Sequence, residues 1–421
     1  MNEAISNKEK DLLRGLADTY AKCAADPVNV ERSSLWTQLN ELKPTRPMVY
    51  INELPWNEMN IDGELDAECE SNWAKGQEKW LKRQIYLWKH MPGDMVLSQD
   101  RPSPKVYHST GFGIREDVDI QKTDNDNSVV SRHFKPQLTE EEDLDKIKPA
   151  VVTFDEEATQ KNFELSSEVF GNILPVKITG RKHTWFTPWD NFVRWTGIEE
   201  AMMDLYDRPE FINEAIQRMV ASCMEEMRQL VEMGLLDRDD DNSRVGSGGY
   251  GFCKPLGSVS ESGIITPDQT WGCSNAQIFS EVSPEMHWEF ALRHDLPWLE
   301  QFGLNYYGCC EPLHNKIEII RRIPNLRKVS VSPWCDAKKM ADEMGNEVVL
   351  SVKPSPAIFA SDIWNPTQAR SEIRTLLEKT RGCSVELIMK DVSTIRRDPH
   401  RLFEWAQIAK EEVEAFSLQA V

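Results

Sequence analysis

The stretch YYGCCEPLH, residues 306–314, sets two adjacent cysteines beside a glutamate, a proline and a histidine. Thiolate, carboxylate and imidazole are zinc-ligand chemistry, and a catalytic zinc keeps one position open for substrate. Cys309, Cys310, Glu311 and His314 offer such donors, although not with the spacing of a Cys-x-x-Cys pair. Two other readings stand beside the metal: a redox pair, or one thiol packed in the core while the other lines a metal-free pocket. Neighbouring side chains on a strand point to opposite faces, so only one thiol faces inward unless the chain has already turned, as Pro312 suggests.

Other residues could share that chemistry. Glu311 and His314 are candidate general acids. Tyr250, among the glycines of SRVGSGGYGF (243–252), could hydrogen-bond a ligand or cap a turn. Trp185, Trp189, Trp271 and Trp334 could wall an aromatic pocket or fill a core. Lys353 and Lys390 end apolar runs, where a cation must be solvated or paired, and Asp391 is the adjacent partner. Cys335 falls at the end of the next run after the thiol pair and could add a third thiolate, whereas Cys383 precedes its run and belongs to the opposite end. His287 and His294 lie on one helix and are expected in solvent.

The elements that must position these residues are clearest in the last 120 residues of the chain. Apolar, β-branched runs at 304–310, 326–332, 347–354 and 384–391 alternate with helical patterns at 315–323, 336–345, 367–382 and 399–416. Strict alternation implies a parallel sheet. The expected fold is α/β, a (β/α)8 TIM-type barrel at 151–421, with an elaborated, partly helical region at 1–150 packed on it; an open doubly wound sheet is the alternative. In such a barrel the active site lies at the carboxyl ends of the strands. That rule gathers Asn52, Glu53, Thr184, Trp185, Tyr250, Cys309, Cys310, Trp334, Cys335, Lys353, Lys390 and Asp391. Upstream, helices are expected at 8–24, 67–90 and 284–295, and strands at 48–54, 174–180 and 243–252. Ile212, Ile216, Met219, Cys223, Met227 and Leu230 form one apolar helical stripe. GSGGYG (246–251) precedes no helix and is a weak dinucleotide signal.

The bulk numbers exclude some classes. A net charge of −20, from 69 acids against 49 bases, argues against nucleic-acid binding. No apolar run is long enough to span a membrane. The start MNEAISNKEKDLL lacks an apolar secretion core, so a cytoplasmic location is expected, with the nine cysteines held as thiols.

HTWFTPWDNFVRWTG (183–197), DLYDRPEFI (204–212), SPEMHWEFALRHDLPWLEQFG (283–303) running into YGCCEP, and the order strand, SPW-x-D, helix, Gly, strand over 329–352 resemble the uroporphyrinogen decarboxylase superfamily. The resemblance covers about 150–416. Its decarboxylase branch implies an arginine-rich N-terminal signature; RPMVYINELPW (46–56) is the nearest stretch and lacks the later arginines. The closer branch holds methyltransferases that work with a corrinoid protein and bind zinc through His-x-Cys and a later Cys. His-x-Cys falls on Tyr307-Gly308-Cys309, and the later Cys on Lys390-Asp391, so only Cys309 matches. The resemblance implies transfer of a methyl group from a methylated small molecule (O-, N- or S-methyl) to the cobalt of a corrinoid partner protein, in anaerobic metabolism. Zinc would sit on Cys309, Cys310 and Cys335. Glu311, His314 and Tyr250 would be catalytic, and Trp185, Trp334, Lys353 and Asp391 would bind substrate. The chain could also pair as a homodimer. A metal-free decarboxylase or lyase of the same fold, with Lys353 and Lys390 on substrate carboxylates, is the alternative.

Overall fold

The computed structural model describes residues 5–122, 130–257 and 263–418. Six strands form one parallel sheet: β1 (Met48–Ile51), β2 (Trp271–Ser274), β3 (Leu304–Tyr307), β4 (Leu326–Val331), β5 (Val349–Val352) and β6 (Ser384–Met389). They lie side by side in the order β1-β6-β5-β4-β3-β2. The first and last of these strands are neighbours, with Tyr50 opposite Ile388, as in a sheet that curls back on itself. Between β1 and β2 the described residues make no continuous ladder. The chain between them makes shorter pieces: Arg101–Pro104 pairs parallel with Val176–Thr179, a parallel bridge joins Arg181 and Leu236, and single hydrogen bonds run from Asp94 N to Val49 O, Asn242 Nδ2 to Val96 O and Trp271 N to the Asp239 carboxylate. The fold is therefore α/β with a mostly parallel sheet, laddered over six strands rather than around a full ring of eight.

The N-terminal helices α1 (Asn7–Ala24), α2 (Val28–Asn40) and α3 (Asn72–His90) precede α4 (Glu156–Phe170) and α5 (Pro209–Glu232). Ser6 and Glu9 cap α1 reciprocally. Helices α1, α3 and α4 share a small core around Leu13, Tyr20, Leu81 and Phe170. β1 also comes from the N-terminal 150 residues, so the central sheet draws on both halves of the expected division. The α5 stripe buries Ile212, Ile216, Met219, Met227 and Leu230 as its spacing requires. Helices α6 (Ala337–Met344), α7 (Pro366–Lys379) and α8 (His400–Leu418) follow β4, β5 and β6. Asp336 caps α6 and Asn365 caps α7. Met340, Ile373, Leu402 and Trp405 from these helices pack on Val329, Leu350 and Leu387, the outward residues of the strands.

Several expectations change. The run 243–252 is a tight loop, with one isolated antiparallel bridge between Arg244 and Tyr250. Its glycines let backbone pass against the sheet interior: a Cβ on Gly246 (φ 54) would stand 2.4 Å from the Tyr306 ring. The helix at 284–295 is interrupted by a π turn at Trp288–Leu292 before continuing as Arg293–Leu299. The helix at 315–323 shortens to Ile317–Ile320. His287 and His294, expected in solvent, are buried, because this helix packs on α5 and the sheet rather than on water. His287 Nε2 lies 2.6 Å from Tyr307 Oη, and burial pushes its pKa down to about 3.

Candidate active site

Side-chain alternation splits the sheet into an apolar outer face and a polar inner face. Tyr306, Lys328, Ser330, Ser351, Lys353 and Glu386 are all buried on the inner side. The floor is an ion pair: Lys328 Nζ lies 2.8 Å from Glu386 Oε2, and neither side chain is exposed. Lys328 also donates to Tyr250 O at 3.0 Å, and Glu386 accepts Gly249 N at 3.1 Å. Buried charges persist only when paired and hydrogen-bonded in this way.

Above this floor, at the carboxyl ends of the strands, β3 ends at Gly308 with φ 93, a conformation that favours glycine. The chain therefore turns before the cysteines. Glu311 locks the turn: its fully buried carboxylate accepts Cys309 N at 2.9 Å and Ala276 N at 3.2 Å, while burial pushes its pKa up. The turn aims Cys309 Sγ at Lys390 Nζ, 3.7 Å away, and at Cys310 Sγ, 3.6 Å away. The Cys310 thiol hydrogen bond and the Lys390 and Lys353 ammoniums outweigh burial and bring Cys309 from its ordinary 9.0 down to about 7. The same pairing pushes Cys310 up. A thiolate beside cations is the reactive form of cysteine.

The two lysines differ. Lys353 Nζ donates to Tyr306 Oη at 3.1 Å and Ser330 Oγ at 2.5 Å, and burial pushes its pKa down to about 8. An ammonium has three donors, so one N–H is left for a ligand. Lys390 lies 2.8 Å from Asp391 and 3.3 Å from Glu53. Although burial opposes its charge, Cys309, Glu53 and Asp391 hold it above the usual lysine range. Arg244 steadies Glu53 at 2.5 Å.

The structure thus brings together Cys309, Cys310, Lys353, Lys390 and Asp391, with Glu311 as the brace beneath them. The other expected residues lie elsewhere. His314 Nδ1 accepts Asp336 N at 3.2 Å and so supports the start of α6. Cys335 is half-buried, held by backbone of Leu313 and His314, and burial pushes it up to about 11. Tyr250 packs at the floor, 4.8 Å from the Tyr50 ring and 5.5 Å from the Trp36 ring. Trp185 and Trp334 are 43% and 76% exposed, and Trp185 lines a separate small cleft with Thr184 and Cys223. Trp189 and Trp271 are core. Ser330 and Arg244 were missed; inward alternation from Ser332 back to Ser330 was the available signal for the first, and nothing local marks the second.

The donors present do not fit a zinc ion: among the described residues, no three His, Cys, Asp or Glu side chains are placed to hold a metal. Tyr307, where the superfamily's ligand histidine would fall, faces the outer helices and bonds His287. Lys390, where the later cysteine would fall, instead sets a positive charge beside the Cys309 sulfur.

The sequence matches no protein-family model and no curated protein. Among solved structures, the chain is similar to a methyltransferase from Methanosarcina mazei, with a TM-score of 0.53 and 11% identity. The likeness covers 90% of this chain and 98% of that one. At that identity it shows a shared fold. No helix among the described residues is long and apolar enough to cross a membrane.

Proposed function

We propose that the chain is a methyltransferase that removes a methyl group from an O-, N- or S-methylated small molecule and passes it to the cobalt of a corrinoid protein. One observation carries this reading: an activated thiol and two buried lysines converge at the carboxyl ends of the strands, in a fold shared over nearly the whole chain with a methyltransferase. The corrinoid of the partner would supply the nucleophile. Trp334 and Ile363, 76% and 83% exposed in the loops after β4 and β5, offer apolar surface for that partner.

This chain's residues then serve the leaving group. Its heteroatom docks against the free N–H of Lys353. As the carbon–heteroatom bond breaks, its electron pair stays on the heteroatom, which takes the Lys353 proton; water restores it. A lysine near 8 is suited to giving up a proton at neutral pH. Lys390 remains charged and stabilises the developing anion, with Cys309 thiolate, Glu53 and Asp391 fixing its position. Burial strengthens each of these interactions.

The test is a donor screen covering aryl ethers, methylamines and thioethers, scored by consumption of cob(I)alamin. Turnover of one class, lost in Lys353→Met, supports the reading; no turnover by any class refutes it. The two buried lysines also suit carboxylate binding, which favours a metal-free decarboxylase as the second reading; carbon dioxide release without cobalt consumption would select it.

A further inference from the structure

At the edge of β1, where the six-strand ladder stops, the molecule holds a cavity of about 380 Å³. It lies between the edge of β1 and helix α3. Its walls combine interior residues, Tyr50, Asn52 and Tyr250, with Trp56 and, from α3, Trp80 and Arg83. Gly76, Trp80, Gln84 and Leu87 recur at helical spacing, so one face of α3 is turned to this space. Gly76 contributes room: a Cβ there would meet nothing within 4 Å.

The cations of the cavity are unusual in their surroundings. The chain carries a net charge of −20, and acids are abundant on its surface. Lys82, on the same helix, takes both Glu78 and Glu68. Arg83 and Lys79, which line the cavity, have no carboxylate partner among the described residues. Arg83 instead stacks its guanidinium 4.3 Å from the Trp56 ring centre. A half-buried guanidinium set on an indole, with its N–H fork unpaired among the described residues, is arranged to bind an oxyanion. The rest of the wall sets the rings of Tyr50, Trp56, Trp80 and Tyr250 among aliphatic side chains such as Ile51, Leu87 and Met91, and Asn52 and Gln84 add amides. The volume falls in the range of small-molecule sites.

The geometry points to a binding site for a planar aromatic anion, a single ring bearing a carboxylate, with Arg83 and Lys79 on the carboxylate and Trp56, Trp80, Tyr50 and Tyr250 around the ring. The assignment does not rest on methyl transfer, since nothing in it uses Cys309. The site nonetheless reaches the strand end: Asn52 lines it, and the next residue, Glu53, holds Lys390.

Isothermal titration of the full chain with benzoate, benzyl alcohol and acetate tests it. Benzoate should bind, and both the neutral ring and the ringless anion should bind more weakly by roughly tenfold or more. Arg83→Gln should remove that preference for the anion. Gly76→Leu, which places a side chain in open space on a helix that tolerates it, should block benzoate by filling the cavity. Melting curves confirm that both variants are folded, and Gly76→Leu remains informative if the arginine variant is not. Failure of benzoate to bind, equal binding of benzyl alcohol, or undiminished benzoate affinity in the folded variants each overturns the assignment.

Discussion

Replacing Lys390 by methionine keeps the apolar stem and removes the charge 3.7 Å from Cys309 Sγ. Two unit charges about 4 Å apart in a partly buried site interact by about 4 kcal/mol. Glu53 and Asp391 already offset part of that at Lys390, so about 2–3 kcal/mol is a reasonable net loss. At about 1.4 kcal/mol per unit, the Cys309 thiol rises by about two units, which cancels most of the fall from 9.0 to about 7. At neutral pH the thiolate drops from about half of the molecules to about one in a hundred. Thiolate absorbance in the far ultraviolet, titrated against a Cys309→Ser background, measures this directly. A native midpoint at the ordinary thiol value, or a midpoint unmoved in Lys390→Met, refutes the electrostatic account of the site.

Three further outcomes are expected. Lys328→Met strands the buried Glu386 charge and should cost about 3–5 kcal/mol in denaturant unfolding, whereas Lys328→Met with Glu386→Leu should recover most of it. Burial pushes Asp295 up to about 8, against the opposing hydrogen bond that Ser274 Oγ–H donates to it. Between the unfolded aspartate value of about 4 and that value the folded state holds a proton that the unfolded state releases, so this residue makes stability fall as pH rises; Asp295→Asn should flatten the pH dependence of the melting temperature over that window. Dialysis against a chelator should leave the Cys309 titration midpoint unchanged, and a shift toward the ordinary value on chelation would mean that metal, rather than Lys390, activates the thiol.

The sequence reports most clearly where one side of an element is apolar. The α5 stripe and helices α6 to α8 were legible because each buries one regularly spaced apolar face, and β3 to β6 because each is a short apolar run bounded by turn residues. β2 escaped because WGCS holds one large apolar residue and no β-branched one, so it lacks the apolar run that marks the equally buried β3, β5 and β6. α2 escaped because its buried positions include Asn29, Arg32 and Asn40, so no apolar stripe exists to be seen. At the site, the end of a strand can be placed from the chain, which located Cys309, Lys353 and Lys390. Side-chain direction after a turn cannot. Glu311 and His314 follow Cys309 closely, yet the turn at Gly308 sends the carboxylate back to brace the thiol's own backbone and the imidazole outward to α6. Arg244 reaches Glu53 from a distant loop, a pairing with no local signature.

The central claim is that Lys353 protonates the group that methyl transfer leaves behind. Its sharpest measurement is turnover of Lys353→Met across a donor series of graded leaving-group basicity, relative to the unaltered chain. Strongly basic leaving groups should lose roughly a hundredfold or more, the scale of general-acid catalysis, and weakly basic ones, which depart without a proton, far less. A loss of the same size for every donor, or none, would contradict it.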